Sequence, residues 1–91
     1  MHFVLLYDYV PNVAERRAPF REDHLSLLRG LQERGEVIMA GGWKDPLDGA
    51  AIIFKVNSRS VVEDFVSKDP YAVNGMVTNW RIREWNVVIG G

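Results

Sequence analysis

The sequence has no cysteine. That excludes disulfides, thiolate metal sites and a Cys nucleophile. It also agrees with a reducing compartment, so a cytoplasmic location is the expectation. Long apolar runs are missing too. The longest, Phe3 to Tyr7 and Ala50 to Phe54, are five residues each, against roughly 20 for a membrane-spanning helix. No basic region precedes the first run and Asp8 closes it, so we read no signal peptide and expect no membrane partner. Charge of one sign is absent. Eleven Lys and Arg face 12 Asp and Glu, for a net charge of −1, which gives no general attraction to nucleic acid. Two histidines without an H-E-x-x-H pattern predict no metal site. There is no G-x-S-x-G elbow, G-x-G-x-x-G or Walker A sequence, no internal repeat and no low-complexity tract.

What is present is 91 residues at 47% hydrophobic, too apolar for a disordered chain. We expect one domain over residues 1–91, with a small core, because a chain this short buries only about 60–65% of its unfolded surface.

His2 to Tyr9 is rich in β-branched and aromatic residues and reads as a strand. Asn12 with Glu15 resembles a capping box. Arg16 to Arg34 is helical by period, with Phe20, His24, Leu27, Leu28 and Leu31 in one stripe. Pro19 implies either a turn before a helix that starts near it or a kink there. Gly35 suits the residue just past the helix end. Glu36 to Ala40 reads as a second strand, and Gly41 to Gly49 as a loop. Ala50 to Val56 reads as a third strand. Ser60 with Glu63 fits a capping box, with Ser58 as the alternative cap. The stripe Val61, Val62, Phe65 and Val66 makes a second helix, stopped at Asp69-Pro70. A short connection from Tyr71 to Gly75 leads to a last strand over Met76 to Ile89, with a bulge expected near Glu84-Trp85.

The order β-α-β-β-α-β predicts an α+β, ferredoxin-like split sandwich, with an antiparallel sheet and both helices on one face. The first and third strands are apolar on both faces, whereas a solvated second face should alternate. We therefore expect a second copy to cover it, a homodimer formed sheet to sheet. RNA-binding domains share this topology, but Gly49 to Lys55 lacks their basic, aromatic third-strand motif, so no nucleic acid partner is expected.

Few residues can carry chemistry. His2 offers no constellation. His24 lies inside an apolar stripe, which allows two readings: a hydrogen-bonded core histidine, or a general acid or base. The second needs a carboxylate to orient the ring, and Asp69 is a candidate, since the two helices lie side by side. Asp-Pro also simply starts turns. Gly41-Gly42 is either a flexible turn or a place where backbone approaches a ligand. Arg81 and Arg83 share a strand face, and exposed strand arginines are common. Trp43, Trp80 and Trp85 read as core or interface residues.

Three short segments carry a resemblance. Arg21-Glu22-Asp23-His24-Leu25 resembles the R-x-x-H-L of the YCII-related (YciI-like) family. Ala40-Gly41-Gly42 resembles its A-G-P or G-G-P element, although Trp43 follows where the family often has Pro after the first Gly. Asp69-Pro70-Tyr71, Gly75 and a closing strand with Arg83 and Trp85 resemble its D-P-[YF] ending. The resemblance spans nearly the whole chain. It implies a ferredoxin-like fold closed into a dimeric α/β barrel, and a His-Asp dyad carried onto His24 and Asp69. It also implies a small-molecule ligand positioned by Arg21, Tyr71 and the Gly41-Gly42 backbone, and no cofactor. Enzymes with this barrel act on small, often aromatic or lactone-like molecules by proton abstraction, isomerisation or elimination, including loss of chloride. The expected function is thus a lyase, isomerase or dehydrochlorinase-like enzyme. The alternative is a non-catalytic ligand-binding or accessory dimer.

Overall fold

The computed structural model describes all 91 residues. Strand β1 (His2–Tyr9) is followed by a single turn α1 (Val13–Arg16), a 3₁₀ turn (Ala18–Phe20) and helix α2 (Arg21–Glu33). Strands β2 (Val37–Gly42) and β3 (Gly49–Lys55), helix α3 (Arg59–Lys68), a one-turn α4 (Pro70–Val73) and strand β4 (Val77–Trp85) complete the chain. The sheet order is β2-β3-β1-β4, and every neighbouring pair is antiparallel. This is the expected ferredoxin-like topology.

Alternation in the central strands assigns the faces. Phe3, Leu5 and Tyr7 of β1 pair with Phe54, Ile52 and Ala50 of β3, and all six are buried under the helices. Leu28 and Leu31 of α2 and Val62, Phe65 and Val66 of α3 pack onto them. Phe54 and Phe65 meet edge to face at 5.5 Å, an arrangement that aromatic quadrupoles favour. The opposite face carries Val4, Leu6, Ala51 and Ile53, half-buried with nothing packed over them, and Met39 at 60% exposed. Arg81 and Arg83 project on that same face, paired with Leu6 and Val4.

Two glycines do steric work. Gly35 has φ +77° just past α2. Its N–H donates to Gln32 O and that of Glu36 to Leu31 O, both at 2.9 Å, which closes the helix as a Schellman motif. Gly49 is packed so closely that a Cβ would strike the Tyr7 carbonyl oxygen and the Trp43 ring.

Several boundaries differ from the sequence expectations. Of the two outcomes Pro19 allowed, the turn is the one found: a 3₁₀ turn over Ala18–Phe20 precedes α2, which begins at Arg21 rather than Arg16. Neither predicted capping box forms. Asn12 is left-handed (φ 59°) and makes no side-chain cap. Ser58, not Ser60, precedes α3, and its hydroxyl pairs with that of Ser60 rather than with the backbone. Gly41 and Gly42 are strand residues of β2, paired with Ala51 and Ala50, so the loop begins at Trp43. The last strand ends at Trp85, and its irregularity lies opposite Asp8 and Tyr9, not at Glu84-Trp85. The phase change there has a plainer cause. Trp80 and Ile82 lie on the helix side of the sheet and Trp85 on the other, so both faces carry apolar residues. The segment from Tyr71 also winds into α4 instead of a plain connection.

Candidate active site

Only two polar or charged residues are buried in this protein, His24 at 6% and Asp69 at 0% exposure, and they are each other's partners. His24 Nδ1 lies 2.6 Å from Asp69 Oδ1. An Asp69 carboxylate can only accept, so Nδ1 donates to it, and in the neutral imidazole Nε2 is then the nitrogen that carries the lone pair. Nε2 has no protein partner, and the ring lines a cavity of about 180 Å³.

Local chain chemistry holds the carboxylate in place. Pro70 disfavours helical geometry in the residue before it, so Asp69 is extended (φ −63°, ψ 120°) and α3 stops. Its backbone N–H still donates to Phe65 O at 2.8 Å. Pro70 then begins α4, where a missing N–H costs nothing. Asp69 caps that helix, with Oδ1 accepting from the Tyr71 N–H at 3.2 Å. Both roles considered for Asp-Pro are therefore filled by one residue: it ends a helix and it holds the histidine.

Two tyrosines complete the arrangement. Tyr7, 1% exposed on the inward face of β1, donates its hydroxyl to Asp69 Oδ2 at 2.7 Å. The Tyr71 ring lies parallel to the imidazole, 3.7 Å between centroids and 6° between planes. That contact fixes the plane of the His24 ring. Burial first, and the Asp69 charge second, push the Tyr7 phenol far above its ordinary range. Burial likewise raises Tyr9, and Tyr71 is raised by burial against the opposing pull of Arg17 and Arg21. All three hydroxyls stay protonated through neutral pH.

The cavity exists because the sheet beneath the start of α2 is built from small residues. Ala40, Gly41, Gly42 and Ala50 form its floor, while Leu25, Leu28 and Ile52 give apolar walls. Gly41 and Gly42 contribute backbone to that floor. A Cβ at Gly41 would meet nothing, whereas one at Gly42 would press on the Leu47 side chain. Arg21 lines the same space, where its charge pulls the Tyr71 phenol down against burial. No group of three or more His, Asp or Glu side chains gathers anywhere in the chain.

All six residues singled out from the sequence, Arg21, His24, Gly41, Gly42, Asp69 and Tyr71, come together here. The sequence reading missed Tyr7, Tyr9 and Arg17. Tyr7 looked like one more apolar strand residue. Its strand is apolar on both faces, so parity gave no signal, and only the register places it opposite the small Ala50. Arg17 lies within the segment read as helical from Arg16 onward, and no motif marked it.

A model of the YCII-related domain matches residues 1–86. An uncharacterised protein of Haemophilus influenzae is 25% identical over an alignment of 97 residues, covering 97% of this chain and 99% of that one. Among solved structures, 5-chloro-2-hydroxyhydroquinone dehydrochlorinase from Burkholderia phenoliruptrix AC1100, in complex with 2,5-dihydroxybenzoquinone, matches with a TM-score of 0.82. It is 20% identical over 94% of each chain. A protein of Agrobacterium tumefaciens matches with a TM-score of 0.58 at 12% identity, over 90% of this chain and 88% of its own. At these identities the structural likeness establishes the fold. No helix of the chain is long and apolar enough to cross a membrane.

Proposed function

Given that this chain belongs to the YCII-related domain family, we propose that it is a small cofactor-independent enzyme of the lyase or isomerase type. His24 would move a proton on a small cyclic or aromatic molecule. The observation that carries this reading is the buried pair itself. Asp69 is wholly inaccessible and holds Nδ1 at 2.6 Å, so Nε2 is the nitrogen left for the cavity. A protein interior accepts such a pair only at a desolvation cost that an apolar pair would not incur.

The proposed mechanism follows from the hydrogen bonds. Neutral His24 takes a proton at Nε2 from a C–H or O–H of the bound ring. The imidazolium that forms is stabilised by Asp69. Tyr7 keeps Asp69 from turning, so the imidazole cannot change tautomer cheaply. The proton then returns to another atom of the substrate, in an isomerisation, or leaves with an expelled group, in an elimination. The dehydrochlorinase of the same fold supports the second branch. Leu25, Leu28 and Ile52 limit water around the reacting atoms.

The same reading places a second copy over the bare sheet face, closing the barrel. Support comes from the apolar centre Val4, Leu6, Ala51 and Ile53, which has no cover within one chain. Sedimentation should give a dimer, and Leu6→Glu should give monomers. A monomeric parent at micromolar concentration would remove the dimer from the proposal.

The function is tested by offering the purified protein halogenated and hydroxylated single-ring compounds, following absorbance and chloride release. Turnover that His24→Asn abolishes, in a variant with parental circular dichroism, supports the proposal. Turnover unchanged in that variant would sink it. Tight binding without turnover, unaffected by loss of the imidazole, would favour a ligand-binding or accessory role.

A further inference from the structure

The arginines of this protein are not equivalent. Arg29, Arg34 and Arg59 each sit within 4.0 Å of a glutamate on the surface. Arg16 bonds a backbone carbonyl. Arg17 and Arg21 have no carboxylate partner, and both turn into the cavity that His24 lines. The Arg17 Nε is buried and lacks any hydrogen-bond partner. An orphaned guanidinium donor away from water is costly, and two guanidinium groups converging on one space repel each other. No Asp or Glu lines the cavity to offset them. Asp69, the carboxylate behind His24, is fully engaged by His24, Tyr7 and the Tyr71 N–H.

We infer that the cavity takes a single-ring organic anion, with its charged oxygen held between Arg17 and Arg21 and its ring over the Ala40–Ala50 floor. The size agrees. About 180 Å³ is slightly more than a cavity of roughly 150 Å³ that admits benzene. The donors recognise negative oxygen in a plane, which a carboxylate and an enolate or phenolate both present. The apolar walls take the ring carbons, and Nε2 of His24 faces the ring from the side. This deepens the proposed function and rests on reading the cavity as a small-molecule site.

The test is calorimetric titration of the intact protein with three probes. Benzoate carries a carboxylate, 2,5-dihydroxybenzoquinone carries enolate oxygens, and benzamide is the neutral isostere of benzoate. At least one anion should bind tenfold or more tightly than benzamide, and the one that does names the oxyanion. Arg17→Gln and Arg21→Gln should each erase that preference, while Arg17→Lys keeps part of it. His24→Asn should retain it, because charge selection is separate from proton transfer. Arg21 is exposed, so its variant reports even if the half-buried Arg17 position tolerates change poorly. Equal binding of anions and benzamide overturns the inference, as does binding of none of the three, or an anion preference that survives both glutamine variants. Turnover with charge-blind binding overturns this inference and leaves the proton-transfer reading standing. Charge-selective binding without any turnover does the reverse.

Discussion

The two ends of the layer between helices and sheet are filled by opposite means. At one end Phe54, Phe65, Val62 and Leu31 interlock with no polar atom among them. At the other, α2 begins over alanine and glycine, and the space beneath it is occupied by His24, Tyr71, Tyr9 and two arginines. The first end is held by close-packed carbon, which is non-directional. The second is held by directional bonds converging on one carboxylate, between 2.6 and 3.2 Å. The closed end lets the open one exist: a small domain retains a cavity and a buried ion only if its remaining core supplies the stability.

That contrast is broken most sharply at Asp69. Asp69→Asn keeps the shape and can still cap α4, but its amide would donate to Nδ1 and shift the ring proton to Nε2. Turnover should fall by roughly 10²–10⁴-fold with little change in KM. A steady-state assay checks this, and a loss under fivefold would show that the carboxylate does not set the tautomer. Next in size is Phe65→Ala at the closed end. Truncating this buried ring should cost about 3–5 kcal/mol in urea unfolding, while ligand binding in the folded fraction is unchanged. A change in affinity as large as that in stability would mean the two ends are not separable.

Tyr7→Phe tests the border between the regions. It preserves packing and leaves Asp69 Oδ2 without its donor, so about 1.5–3 kcal/mol of stability should be lost. A merely structural role would move stability alone. A positioning role also lowers kcat and changes its pH profile. The same variant carries an alkaline signature. An unfolded tyrosine ionises near its ordinary value of 10.0, and Tyr7 in the fold stays protonated well beyond it. Above pH 10 the unfolded chain therefore binds fewer protons than the folded one, so stability is whole below that pH and declines as pH rises. The slope from this residue reaches about 1.4 kcal/mol per pH unit, and Tyr7→Phe should remove that share. An identical slope in the variant would show that the phenol is not protected as described. The smallest effect is expected at Gly41→Ala. Nothing lies within 4 Å of the added carbon, and strands prefer alanine to glycine by about 0.5–1 kcal/mol. A melting temperature unchanged or slightly raised would show that Gly41 serves the cavity through its backbone. A clear drop would point to contacts outside one chain.

Periodicity decided much in advance. The stripe Phe20-His24-Leu27-Leu28-Leu31 already put His24 on the inward face of a helix, and the apolar run Phe3 to Tyr7 marked a strand with no solvated face. Element order followed from the breakers Pro19, Gly35 and Pro70, whose backbone limits are local and hence readable in a single chain. What neighbours do to one another was not readable in that way. Asn12 and Ser60 had the residue types of caps and make none, since side-chain rotamers there are set by surroundings rather than spacing. Gly41 and Gly42 looked like a turn and became strand, because pairing with Ala51 and Ala50 outweighs the weak strand preference of glycine.

The sequence by itself determined the helix and strand order, the inward histidine and the Asp-Pro corner, because these depend on local sterics and on a repeat of two or of 3.6 residues. Only the tertiary structure decided that Asp69, 45 residues from His24 and 62 from Tyr7, binds both. It alone showed that two arginines without a carboxylate partner line the cavity beside His24. Contacts at such separations depend on how the layers meet, and buried charge must be balanced by whatever the fold brings within reach.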